Sequence, residues 1–492
     1  MIHLTYSNRT EELLAALVEA VTAERKRGSP FDPIRLVVPN RNIETYIKHG
    51  LAAETGIAAN LEVTFLQRLA ERLARDVFPG ARLVDAGRSE GYLLALLHDA
   101  AFMADPVFAP VRAYLTAAGT SEDAIDRRRL ALAAELGRLF DEYAASRPEL
   151  LMAWRERATL TDASPAAPSL GGAPAGLAGI ERWQRALWLG IFGPDGLVKR
   201  AAAPADVLLA EVARALEHTE IVGTPVHVFG VSYIARGYHA LLAALARRTE
   251  VRIYTLNPCR EFWEDVDSVP ELRRRLRREG RQAAFPSRAA GRQAALVLGE
   301  DPYGLESDRE HLALRLWGRP GRENIRLLND RAGGDFQGRF VSQRESGKTA
   351  TLLARLQDDI LDRVVPGAPD PTAQPDDSLT VLPCPGVRRE LEVIAAEIWR
   401  ALAADPTLAL NQIAVVVPEA VKDTYHAHVS AVFAEAHDLP HTIVDLPFGR
   451  TSRMAEALLL LLELPFGGFT RRELLPLCTH PAVMERFPEA RP

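Results

Sequence analysis

The sequence predicts an α/β protein built on a parallel sheet, and three observations carry that prediction. Two strand–loop–helix units stand at the start: Ile2–Ser7 before a helix from Thr10 to about Val21, and Ile34–Val38 before a helix carrying Ile43, Tyr46, Ile47 and Leu51. Two apolar strand runs, Val226–Ser232 and Val251–Leu256, return much later with a helix between them. After a Pro- and Asp-rich stretch at Pro366–Ser378 the strand–helix alternation begins again at Leu379.

Taken in order, Leu13, Leu14, Leu17, Val18 and Val21 recur at helical spacing behind the first strand. Asn8 with Glu11 three residues later reads as a capping-box start. Gly56–Val63 turns into a third short strand. From Leu66 to Leu216 the pattern is helical, with Leu69, Leu73 and Val77 on one helix, Leu93, Leu94, Leu96 and Leu97 on another, and Ala/Leu-rich Leu130–Trp154 beyond. This block reads as an all-helical insertion, broken by the Pro/Gly/Ala/Ser tract Thr161–Gly179. Glu261, Glu264 and Asp265 are expected on a surface helix, residues 281–345 as loop, and Ala350–Asp362 as helix. The second α/β unit is expected as strand Leu379–Leu382, helix Glu390–Ala403, strand Ile413–Val417, strand Thr442–Asp445 and an apolar helix around Leu458–Leu464.

The 492 residues are too many for one core; 47% are hydrophobic and 25% charged, the balance of a soluble globular chain. No apolar run is long enough to span a membrane, and the start lacks the basic-then-apolar layout of a signal peptide, so a cytoplasmic location is expected. Cys259, Cys384 and Cys478 lie far apart without CxxC pairing, which argues against a zinc site or disulfide frame. A net charge of −6 argues against a surface coated for unselective nucleic-acid binding. It leaves room for a local basic channel; Arg127-Arg128-Arg129 and the Arg273–Arg281 run are candidates, although a solvated helix face is the favoured reading of each.

A strand, tight loop and helix is how a P-loop NTPase opens, but Ser7-Asn8-Arg9 has neither the glycines nor the lysine that would wrap a phosphate. Ser346-Gly347-Lys348-Thr349 reproduces the tail of a Walker A loop. The glycine required earlier in the motif is Ser342, and Arg344-Glu345 would crowd the phosphates. Glu24-Arg25-Lys26 has the letters of a nuclease Glu-x-Lys but falls at a helix end. His426, His428, His437 and His441 show no metal spacing, and Gly230-Val231-Ser232 is no nucleophile elbow because position 234 is Ile. No catalytic set emerges. Asn40-Arg41-Asn42 would sit at the carboxyl end of its strand, where open α/β sheets bind ligands; a plain helix cap by Asn40 is the equal alternative.

Tyr6-Ser7-Asn8-Arg9, Phe31-Asp32-Pro33, Gly56-Ile57-Ala58-Ala59-Asn60, Leu139-Phe140-Asp141 with Tyr143 and Arg147-Pro148, the Val228–Ser232 strand, Asn257-Pro258-Cys259-Arg260 with Trp263, and Asp405-Pro406-Thr407-Leu408 together resemble, in order, the RecC family. These are the gamma subunits of exodeoxyribonuclease V, much longer proteins of which this chain is similar to the N-terminal part. The resemblance implies a degenerate superfamily-1 helicase-like, P-loop NTPase-like α/β fold whose ATP site is lost. Its domains would be 1–65 with 218–345 (domain 1A), the helical insertion 66–217 (domain 1B), a connecting helix and linker at 346–378, and an incomplete second helicase-like domain at 379–492.

The resemblance further implies a non-catalytic DNA-binding subunit with no cofactor of its own, ATP and Mg²⁺ being used by RecB-like and RecD-like partners. The heterotrimer unwinds and degrades linear duplex DNA from its ends in repair and recombination, guides the separated single strands, and scans the 3′ strand for Chi. Carry-over of the Chi-reading residues is partial. Leu139, Asp141 and Arg147 keep the family residue types, whereas Pro39, Arg41 and Thr45 replace glutamine, threonine and glutamine, and Arg138 and Glu142 replace aspartate and glutamine. Pro39 cannot bond a base edge as an amide can. The expected DNA-binding set is therefore Asn40, Arg41, Thr45, Leu139, Asp141, Glu142 and Arg147, with Arg41 and Arg147 as phosphate contacts. For Arg147 a helix-end ion pair is the alternative. Three rivals remain at this point: an ATP-driven translocase using Lys348, an AddB-type helicase-nuclease subunit, and a pure protein scaffold.

Overall fold

Apolar strands separated by amphipathic helices do form a parallel sheet. The computed structural model describes residues 1–29, 31–117, 121–156, 177–200, 206–219, 224–266, 311–333, 336–345, 351–365, 376–444 and 452–486. Two compact units are present, Met1–Leu379 and Thr380–Pro492.

The first unit is organised on a six-stranded sheet of order β3-β2-β6-β7-β1-β8, with every ladder parallel. Its strands are β1 (Ile2–Ser7), β2 (Ile34–Val37), β3 (Leu61–Thr64), β6 (Val226–Phe229), β7 (Val251–Leu256) and β8 (Phe336–Gly338). The central strands are apolar on both faces because both faces are covered. On one side α1 (Thr10–Arg27) and α2 (Arg41–Thr55) pack Leu13, Leu17, Ile47 and Leu51 against Leu36, Phe229 and Tyr254. On the other, α3 (Leu66–Val77) and helices later in the chain pack against Leu4, Val37, Val228 and Ile253.

Between β3 and β6 the chain forms the helical block: α4 (Ala86–His98), α5 (Glu122–Ser146), α6 (Pro148–Arg155) and α7 (Leu177–Phe192), followed by α8 (Leu209–Leu216). Its core centres on Trp154, which meets Phe140, Tyr143 and Trp188 edge-on at 6.0–6.2 Å and donates its indole N–H to Glu181 at 3.0 Å. The block is not all-helical as expected. A two-residue parallel ladder joins β4 (Arg82–Leu83) to β5 (Asp206–Val207), and buried Asp206 accepts bonds from Tyr92 at 2.7 Å and Arg88 at 3.2 Å. A ladder this short leaves no periodic signal in sequence. The chain then runs through β6, α9 (Arg236–Ala246), β7, α10 (Arg319–Ala332), β8 and α11 (Leu352–Leu361).

Other expectations also needed correction. Asn8 does not cap α1: Arg9 holds the cap position without a side-chain bond, and the Asn8 amide is spent on Val341. The 281–345 stretch contains α10 and the edge strand β8, whose Phe-Gln-Gly sequence has no strand pattern and is held by pairing with β1. Glu261, Glu264 and Asp265 lie on irregular backbone rather than a helix, because Trp263 between them is buried and donates to Asn257 at 3.0 Å.

The second unit contains α12 (Val387–Ala404) and α13 (Lys422–Ser430), packed around Leu391, Ala395, Val432 and Phe433, and then α14 (Arg453–Glu463) and α15 (Arg471–Cys478). Among its described residues the expected strands 379–382, 413–417 and 442–444 form no ladder. Val381 and Val416 are 85% and 88% exposed, so apolar pattern alone did not supply the partner a strand requires.

Candidate nucleic-acid interface

Strand order decides where the first unit's sheet opens. The connection after β2 leads outward to β3 through α2, while the connection after β6 leads the opposite way to β7 through α9. Neighbouring strands whose connections diverge leave a crevice at their carboxyl ends, the preferred ligand position of open α/β sheets.

Asn40, Arg41 and Thr45 stand at this crevice, all exposed. Asn40 caps α2, its carboxamide oxygen accepting the Ile43 N–H at 3.0 Å, so the cap alternative describes its local role. Thr45 returns its hydroxyl to the Arg41 carbonyl at 3.0 Å. The Arg41 guanidinium has no hydrogen bond or ion pair among the described residues.

The second group lies on α5 and at its junction with α6. Exposed Arg147 closes one helix and opens the next, its backbone N–H donating to the Tyr143 carbonyl at 2.8 Å. Its guanidinium also has no hydrogen bond or ion pair among the described residues, so the helix-end ion pair is not formed. Glu142 is exposed and lies 3.4 Å from Arg138, which also pairs with Glu135. Leu139 packs half-buried against the core of the helical block. Asp141 borders a small cavity with Ser89 and Tyr238, where burial and then the charge of Asp85 raise its carboxyl above the ordinary range.

The β6–α9 connection joins the two groups. Gly230 follows β6 at φ +70°, where a Cβ would lie 3.6 Å from the Ile43 side chain of α2. At the far end, a Cβ on Gly237 would fall 2.8 Å from the Ala144 carbonyl and 3.1 Å from that of Ala145, so only glycine lets α9 approach the end of α5 this closely. Between them Ser232, Tyr233 and Arg236 are exposed, and Arg236 pairs with Glu149 at 3.5 Å. Sequence reasoning weighed Ser232 only as a nucleophile and passed over Tyr233 and Arg236; the available signal was polar and aromatic residues directly after a fully buried strand.

The other half of the same rim is closed. Ser7 is buried; its hydroxyl donates to the Arg339 carbonyl at 2.6 Å and accepts the Arg9 N–H at 3.0 Å. Asn8 exchanges two bonds of 2.9 Å with the Val341 backbone. Asn257, after β7, accepts from Cys259 at 3.3 Å as well as from Trp263. Ser346-Gly347-Lys348-Thr349 lies outside the described residues, but the N–H groups of Gln343 and Arg344 just before it both go to Asp358, at 2.7 and 2.9 Å. Burial would raise the Asp358 carboxyl, yet these two bonds hold it below its ordinary range.

Of the basic runs, Arg128 lies over the Tyr114 ring at 4.7 Å and Arg129 pairs with Asp126 at 2.6 Å, leaving Arg127 exposed; Arg273–Arg281 lies outside the described residues. Among the described residues no group of three His, Cys, Asp or Glu could hold a metal ion, and no helix is long and apolar enough to cross a membrane.

Known proteins are similar to this chain in sequence. The family model described as RecC, N-terminal domain, matches residues 2–363. This chain belongs to the RecC family. Named "RecBCD enzyme subunit RecC", the relative from Escherichia coli K12 is 27% identical over 99% of this chain and 43% of its own length. Relatives of the same name from Haemophilus influenzae and Mycolicibacterium smegmatis are 24% and 26% identical, again over 99% of this chain, and over 44% and 41% of theirs. The chain thus spans less than half the length of these RecC proteins.

Proposed function

We propose that this RecC-family chain is a non-catalytic strand guide within a RecBCD-like helicase-nuclease that processes linear duplex DNA in repair and recombination. On this reading, domain 1A (1–65 with 218–345) and the beginning of a second such domain at 379–492 keep a helicase-like framework, with the 66–217 block as insertion 1B. RecB-like and RecD-like partners supply ATP and Mg²⁺ chemistry, and this chain steers the separated strands from a duplex end. The observation that carries the reading is a pair of exposed arginines without hydrogen bond or ion pair among the described residues, Arg41 at the sheet crevice and Arg147 at the α5–α6 junction, on either side of one short connection. An arginine held by no carboxylate presents its full charge and five donors to a phosphate. Asn40 and Thr45 flank the path on α2, and Leu139, Asp141 and Glu142 lie along α5; none replaces the lost glutamine amides, so recognition of Chi in its familiar form is not part of the proposal.

The test is binding of a fluorescent single strand and of a duplex end to the 492-residue chain across a salt series. Arg41→Ala and Arg147→Ala should each weaken single-strand binding and lower the salt slope by roughly 0.7. Capture of RecB- and RecD-like subunits tests the assembly. DNA-stimulated ATP turnover abolished by Lys348→Ala would overturn the non-catalytic reading.

A further inference from the structure

The same crevice holds a side chain with no structural work. Tyr233 is 51% exposed, and it makes no hydrogen bond or ring contact among the described residues. Its backbone, by contrast, is pinned on both sides. Thr255 donates its hydroxyl to the Val231 carbonyl at 3.0 Å, and the Ile234 N–H donates to buried Asn324 at 3.0 Å. Gly230 N–H is bonded to the Tyr254 carbonyl at 2.9 Å. Because the backbone is already fixed, only the two side-chain torsions remain to be ordered when something stacks on the ring, which an aromatic on a loose loop would not offer. Tyr233 stands three residues from Gly230 beside α2 and four from Gly237 beside α5. Chain geometry therefore keeps it within about 11 Å and about 14 Å of those two contacts.

We propose that Tyr233 is a stacking post for one unpaired base of a single DNA strand whose phosphates are held by Arg41 and Arg147. The inference rests on the strand-guide reading and adds to it a base-contacting residue. Stacking on a tyrosine face is tolerant of base identity, so the post would serve passage of a strand rather than reading of a sequence. Arg236, three residues on and partly engaged by Glu149, supplies further positive charge on the same connection.

Two probes separate the post from the guide: a short oligo-dT strand, and a strand of equal length and charge made of abasic sites. With the 492-residue chain, Tyr233→Ala should lose about tenfold in affinity for oligo-dT. It should leave the abasic strand and the salt slope unchanged, and Tyr233→Phe should restore binding. Arg41→Ala should weaken both probes. Undiminished oligo-dT binding by Tyr233→Ala, with Arg41→Ala still weakened, overturns the post and leaves the guide standing. Equal losses on both probes also overturn stacking. Failure of Arg41→Ala and Arg147→Ala to weaken either probe overturns the guide and the post with it. Loss of partner-subunit capture by Tyr233→Ala with DNA binding intact assigns the side chain to a protein interface and likewise overturns the proposal.

Discussion

Two halves of one sheet rim have opposite fates. At the ends of β7, β1 and β8 the chain bonds to itself: Ser7 to Arg339, Asn8 to Val341, Asn257 to Trp263. At the ends of β2 and β6, Asn40, Arg41, Ser232 and Tyr233 are exposed, and Arg41, Tyr233 and, at the α5–α6 junction, Arg147 have no side-chain hydrogen bond or ion pair among the described residues. Both halves stand on the same kind of strand–loop–helix unit. What separates them is whether a later segment returns to consume the loop's polar side-chain groups, since at the open half Thr255 and Asn324 bond only backbone groups of the β6 loop. A carboxyl-end loop is a potential binding site only while those groups are free.

The largest expected effect distinguishes the halves by pH. His239 is buried on α9 beneath the open half; burial, helped by the nearby positive charges of Arg331 and Arg236 and only partly opposed by hydrogen bonding to Asn324, brings its pKa down to about 4. The unfolded chain, titrating near 6.5, binds the extra proton first. Stability should therefore fall as pH drops from 6.5 towards 4, by up to about 1.4 kcal/mol per pH unit, and this contribution should level off below 4. Urea midpoints across that range should show the slope, and His239→Gln should flatten it. Hydrogen exchange should accelerate at Ile234, latched through Asn324, before it does at Val341.

Gly237→Ala should cost about 2 kcal/mol by driving a methyl into the Ala144 carbonyl, read as a lower urea midpoint. Because Gly237 joins α9 to α5, the same variant should also weaken single-strand binding. On the closed half, Asn8→Ala leaves the Val341 N–H and carbonyl without their partner and should cost about 1–2 kcal/mol. It should not create nucleotide binding, checked by titration of a fluorescent ATP analogue with Mg²⁺; saturable binding would break the comparison. Smallest in stability is Arg41→Ala, expected within about 0.5 kcal/mol of the parent because no bond is lost, while its DNA affinity still falls.

Much of the first unit was legible in sequence. Continuous apolar runs such as Val226-His227-Val228-Phe229 mark strands buried on both faces, and the helical spacing of Leu13, Leu17 and Val21 marks the cover of one of them. The placing of Asn40 at a strand's carboxyl end was legible too, since strand, cap and helix are neighbours in the chain. What was not legible depended on distant partners. Asn8 carries the same capping signal whether or not Val341 lies beside it, and Phe336–Gly338 has no strand signal without β1. Val416 reads as strand by pattern and pairs with nothing among the described residues.

By itself, then, the sequence determined the periodicities: which segments are helix or buried strand, their parallel alternation, and the absence of a Walker glycine at the first loop. Tertiary structure alone decided which carboxyl-end loops are sealed and which stay open, and that Arg41 and Arg147 flank one connection carrying Tyr233. The physical reason is range. Helix and strand preferences are set by residues a few positions apart, whereas the occupancy of a polar group is settled by whatever the fold returns to it, for Asn8 from 333 residues away.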